Sequence, residues 1–149
     1  MTPGRQVGLP RQAGATDAIA VVMGVLVTFA GVMHFVAPGF FDDLVPPWLW
    51  PGQRAWTYAS GVAELVVGPM LLVPRWRRWG GLAAIALFVV VYPGNLYMAW
   101  DWRDRPAADQ AMAWLRLPLQ FVLVWLAWRI HRRAQPPSLF RSAGQRQQV

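Results

Sequence analysis

Four stretches of this chain are too long and too apolar to be loops or ordinary surface helices. Two are continuous: AIAVVMGVLVTFAGVMHFVA at 18–37 and GGLAAIALFVVVYPGNLYMA at 80–99; the others run over about 56–73 and 112–130. About 20 apolar residues in helical form cross the hydrocarbon of a bilayer. A backbone in lipid must satisfy its own hydrogen bonds, so each stretch is expected to be a helix. The predicted fold class is therefore all-α: a transmembrane four-helix bundle over residues 17–131, with an interfacial outer loop between helices 1 and 2. Composition agrees, since 56% of the 149 residues are hydrophobic and only 14% are charged. A soluble domain needs more polar surface. The first stretch reads as a retained helix rather than a cleaved leader, because His34 and Pro38 stand where a small-residue cleavage motif belongs. The flanks 1–16 and 132–149 are expected to be disordered, the second being rich in Pro, Ser, Gln and Arg.

Several functions drop out. The chain has no cysteine, which removes disulfides, thiolate catalysis and cysteine metal sites. Its two histidines, His34 and His131, are far apart in sequence, so no metal site is expected. No phosphate-binding loop, nucleophile elbow or HExxH motif is present, and no catalytic residue can be assigned. The chain is not expected to be an enzyme on its own. The net charge of +7 does not point to nucleic acid, because the arginines border apolar segments, where a membrane accounts for them.

The arginines also give an orientation. Ten lie on one side: Arg5, Arg11, Arg75, Arg77, Arg78, Arg129, Arg132, Arg133, Arg141 and Arg146. Arg54, Arg103 and Arg105 lie on the other, and Arg116 falls within the fourth span. Positive-inside bias predicts both termini in the cytoplasm. Trp48, Trp50, Trp56, Trp100, Trp102 and Trp114 are expected at the outer boundary, and Trp76, Trp79 and Trp128 at the inner one. An aromatic belt explains nearly all of them. Stacking on a cofactor is the alternative for Trp100 or Trp114. The outer connection PGFFDDLVPPWLWPGQR predicts a short interfacial helix at FFDDLV, stopped by Pro46 and Pro47, lying over the bundle mouth as a lid. A passive amphipathic hairpin is the other reading.

An ionisable side chain at membrane depth is costly and normally faces the bundle interior. On the first helix Gly24, Thr28, Gly31 and His34 share a face; on the second, Thr57, Gly61, Glu64 and Gly68 do. Small residues allow helices to approach closely in lipid. Ala113, Arg116, Gln120 and Ala127 make a similar face on the fourth, and Asn95 on the third follows Pro93 and Gly94, with Tyr97 nearby. At 1.5 Å per residue, His34, Glu64, Asn95, Arg116 and Gln120 all fall in the outer half of the bilayer. Four helices thus place polar groups at one level. These residues are expected to form a polar site, with Glu64 and Arg116 as its ion pair. Such a site either binds a ligand or acts as a clamp that fixes helix register.

GVMHFVAPGFFDDLVPPWLWP, SGVAELVVGPMLLVP and YPGNLYMA together resemble the DoxX-like family of small bacterial membrane proteins. The resemblance rests on His34-Phe35, Pro38, Phe41, Val45-Pro46-Pro47, Ser60-Gly61, Glu64, Gly68, Leu71-Leu72, Pro93 and Asn95, and covers about residues 17–130. It implies a four-helix membrane protein, with some relatives serving as subunits of membrane oxidoreductases or oxidative-stress complexes. It transfers His34, Glu64 and Asn95 as motif residues but no catalytic set.

Three functions follow as expectations. The first is an accessory subunit of a membrane redox system. No cofactor is evident, but quinone fits, with polar contacts from His34, Tyr97 and Glu64. The second is a small proton-coupled transporter or ligand-binding membrane protein, which with four helices would call for a homo-oligomer. The third is a membrane anchor for soluble partners through the basic face, which also suits contact with anionic membrane lipids.

Overall fold

A computed structural model describes residues 14–134. The flanking disorder expected from sequence lies almost wholly outside this range. The described chain forms α1 (Ala15–Val36), α2 (Pro38–Asp42), α3 (Gln53–Leu72), α4 (Arg77–Asp101), a 3-10 turn at Trp102–Asp104, and α5 (Ala107–Arg133). Among the described residues there is no strand. The four long helices are each apolar and long enough to cross a membrane. The molecule is an all-α four-helix bundle of multi-pass membrane type.

The helices run a little beyond the apolar stretches read from sequence. α3 and α4 begin three residues earlier, at Gln53 and Arg77, and α5 begins at Ala107. The polar turns at their ends are helical too, and hydropathy alone does not see them. Proline sets several boundaries. Pro38 occupies the first turn of α2, where its missing N–H is harmless. Pro106 stands immediately before α5. Gly52, with φ of 136°, turns the chain into α3 in a conformation other residues rarely adopt. The expected FFDDLV helix is instead PGFFD, ending at Asp42. The segment toward Pro46 forms turns rather than helix.

The tightest neighbours are α1 with α3 and α4 with α5; α3–α4 and α1–α5 contacts close the ring. Glycines set the α1–α3 distance. A Cβ at Gly61 would fall 2.7 Å from the His34 Cβ, and one at Gly31 would fall 3.0 Å from the Glu64 Cβ. A Cβ at Gly68 would collide with the Thr28 side chain. Gly81 plays this part between α4 and α5, where an added Cβ would lie 2.8 Å from the Ala127 carbonyl oxygen. Close approach gains dispersion contacts, which must drive helix association where the solvent is itself apolar.

The two halves of the bundle are filled differently. Toward the arginine-rich rim, Met23, Val27, Val67, Leu71, Leu87, Phe88 and Ile130 pack into one apolar core. Arg77 joins three helices there. Its Nε donates to the Leu71 carbonyl at 2.9 Å and a terminal nitrogen to the Leu72 carbonyl at 3.2 Å, capping α3. The other terminal nitrogen pairs with Asp17 of α1 at 2.6 Å. Sequence reading used Arg77 only for orientation; it is a buried structural residue. Trp102, expected in the outer aromatic belt, is also buried and packs with Met98, Ala99 and Ala113. The rest of the lid half is hollow.

Gly68→Val is expected to destabilise the bundle by about 1–3 kcal/mol or more, because backbone and Thr28 block the new side chain. Gly39→Ala, whose surroundings are open, is expected to be neutral. Thermal unfolding in detergent followed by tryptophan fluorescence measures both.

Candidate functional site

The hollow is a cavity of about 520 Å³ between the lid and the four helices. Its size lies within the range of small-molecule sites. The lid segment supplies one wall through Phe41, Leu44, Val45, Pro46, Trp48 and Leu49. Trp56, Val90, Val91 and Pro93 continue the apolar lining. Polar side chains gather in the remainder: His34, Thr57, Ser60, Glu64, Asn95, Tyr97 and Arg116.

Five of the six residues singled out from sequence therefore line one space: His34, Glu64, Asn95, Tyr97 and Arg116. Gln120 is buried beside it and does not line it. Its amide oxygen accepts from Asn95 Nδ2 at 3.2 Å, and its amide nitrogen donates to the Phe88 carbonyl. That carbonyl lies five residues before Pro93, next to the Val89 carbonyl that the proline leaves without its helical partner. Asn95 and Gln120 thus tie α4 to α5 as a register clamp.

The expected Glu64–Arg116 ion pair is not formed. α3 and α5 are not neighbours in the ring, so the two side chains approach the cavity from different corners. Glu64 faces His34 instead, with its Oε2 3.3 Å from His34 Nδ1. That nitrogen donates to the Ala30 carbonyl at 2.8 Å. A carbonyl only accepts, so Nδ1 carries the proton. Glu64 Oε2, although close, receives no hydrogen bond among the described residues and is buried. The His34 ring is held flat against Phe41, with centroids 3.7 Å apart. Arg116 has no carboxylate partner among the described residues. Its guanidinium reaches Met98 Sδ at 3.8 Å and lies over the Phe40 ring. Most of its five donors are left for other acceptors.

Trp100 and Trp114, considered from sequence for cofactor stacking, are both exposed on the outside of the bundle and line no part of the cavity. Trp48 and Trp56 line it instead. Sequence reading also passed over the lid latch. Asp42 Oδ1 accepts from the Thr57 hydroxyl at 2.7 Å, and Oδ2 accepts from Arg54 Nε at 2.8 Å. Gln53 Nε2 donates to the Asp42 and Val45 carbonyls, and Trp56 Nε1 to the Trp50 carbonyl. All these bonds run to α3. Towards the far side the lid has the 4.0 Å contact of Asp43 with Arg105, the packing of Leu44 against Met98, Ala99, Trp102 and Ala113, and the Phe40 ring beneath Arg116. The run Gln53-Arg54, with Thr57 one turn on, is a set of donors for Asp42 that is visible in the sequence.

Residues 11–131 match a family described as a domain of unknown function (DUF8561). The chain belongs to that family. The match takes in the lid, the cavity and nearly all of the four long helices of this DUF8561 protein. No curated protein and no solved structure matches it.

The latch carries a pH dependence. Hydrogen bonding from Arg54 holds the Asp42 carboxyl below its ordinary value; partial burial opposes this, and the Thr57 bond adds to the lowering. A depressed folded value means the latch contributes fully above the ordinary carboxylate range and is lost as pH falls through that depressed value. Relative to its intrinsic rate, hydrogen exchange of segment 43–52 is expected to accelerate on acidification below about pH 4. In Asp42→Asn it is expected to be faster at neutral pH and to lack that pH dependence.

Proposed function

We propose that this chain is a DoxX-like membrane protein that binds a hydrophobic small molecule with a polar head, quinone being the best fit, as an accessory subunit of a membrane redox or oxidative-stress system. The observation that carries this reading is the lidded cavity itself, apolar along the lid and α4 and polar at His34, Glu64 and Arg116. A quinone needs such a slot: apolar walls for its tail, and donors for its carbonyl oxygens. Arg116 offers unused donors, and Trp48 and Trp56 offer aromatic faces for a ring. The DoxX resemblance is consistent with this, since His34, Phe41, Val45, Pro46, Ser60, Glu64, Pro93 and Asn95, which help to carry it, all stand on the cavity wall. The deepest lining residues are Glu64 and Val90, near the middle of their helices. Below them the bundle is packed solid, which favours binding over transport.

On this reading the lid faces the extracytoplasmic side of a bacterial plasma membrane, and both termini are cytoplasmic. The arginine distribution supports that orientation.

A short-chain quinone titrated into the purified protein tests the reading. Because Trp48 and Trp56 line the cavity, saturable quenching of tryptophan fluorescence is expected. Arg116→Gln is expected to stay folded and bind about 10- to 100-fold more weakly, the effect of losing a charged hydrogen bond. Linear, unsaturable quenching, or equal binding by the variant, would refute it.

A further inference from the structure

The cavity leaves the opposite rim unexplained. Asp17 is the only carboxylate side chain of the sequence at that end, and Arg77 already holds it. Arg75, Arg78, Arg129, Arg132 and Arg133 have no carboxylate partner among the described residues. Three of these five lie over an indole; Arg75 does so in the α3–α4 connection, 4.9 Å from the Trp76 centroid, and the other two share α5. Arg129 lies over the Trp125 ring, its Cζ 5.6 Å from the centroid, and Arg132 lies over Trp128 at 5.4 Å. Each arginine leans back one turn onto an indole, as helical side chains tilt toward the N-terminus. The two pairs therefore stand side by side on one strip of α5. Arg129 Nε is moreover buried without a hydrogen-bond partner.

The strip continues into the membrane. Phe121, Val122, Trp125 and Trp128 are all exposed on α5, which is the least buried of the four spans. An apolar lane thus runs down the helix and ends at two adjacent guanidinium groups. That is the polarity of a phospholipid, chain and then phosphate. A second copy of this chain packed face to face would bring four arginines together without a carboxylate, so the charge pattern selects against it.

We propose that the outer face of α5 is a binding site for an anionic phospholipid, with its phosphate on Arg129 and Arg132 and an acyl chain along Phe121 and Trp125. Guanidinium groups suit phosphate oxygens, and the indoles beneath hold the arginines at headgroup depth. The site is independent of the cavity.

The test is retention of added phosphatidylglycerol against phosphatidylcholine by the delipidated full-length protein, measured by native mass spectrometry. Wild type is expected to retain phosphatidylglycerol preferentially. Arg129→Gln/Arg132→Gln is expected to weaken that retention about 30-fold, two basic side chains' worth of surface attraction. Arg132→Gln alone, which leaves the partly buried Arg129 in place, is expected to lose about fivefold. Arg75→Gln/Arg133→Gln removes the same charge from the same rim and is expected to keep most of the preference. Equal retention of the two lipids overturns the proposal, as does equal loss in the two double variants, which would indicate a diffuse basic field. A dimer that dissociates on Phe121→Ala, without lipid preference, overturns it in favour of a protein interface.

Discussion

Lipid offers no hydrogen bonds, and this fixes where every polar side chain in the bundle can go. Each must find a partner within the chain, reach a water-filled space, or escape to a rim. Gln120 takes the first course, answering Asn95 and a carbonyl near Pro93. Glu64, His34 and Arg116 face the cavity, and His34 also donates to the Ala30 carbonyl. The arginines of the rim opposite the lid take the third, apart from Arg77, which closes the end of α3.

Glycine decides which helices share these groups. Gly24, Gly31, Gly61 and Gly68 bring α1 and α3 close enough for His34 and Glu64 to meet, while Gly81 draws α4 onto α5. Two close pairs packed into a ring leave space wherever large side chains do not fill the middle. Toward the arginine rim, leucine, phenylalanine and isoleucine fill it. Toward the lid they do not, and the polar residues take their place. One half therefore holds the fold and the other holds the site. The lid completes that site because Asp42 anchors it to the helix that also carries Glu64.

Much of this was legible in the sequence. Apolar length gave the four helices, and spacing gave the glycine faces of α1 and α3. Depth counting placed His34, Glu64, Asn95, Arg116 and Gln120 at one level; the first four line the cavity, and Gln120 is buried beside it. Depth does not give direction around a helix, however. Glu64 was therefore matched to Arg116 by charge, although its helix is adjacent to that of His34 and not to that of Arg116. Helix ends were misjudged because polar end turns carry no hydropathy signal. Trp102 was assigned to the interface by its position alone, yet the 3-10 turn folds it inward. The latch at Asp42 depends on contacts 12 and 15 residues away, which no local periodicity reports.

The central claim is that water, not lipid, reaches the polar face of α3. Because the chain has no cysteine, single substitutions report it cleanly. Ser60→Cys on the cavity wall and Val62→Cys on the exposed outer face can each be treated in membranes with a small water-soluble thiol reagent. The account predicts that the thiol at position 60 reacts readily and that the one at 62 stays inert. A reactive position 62 beside an inert position 60 would mean that α3 is turned the other way, and the cavity would not exist as described.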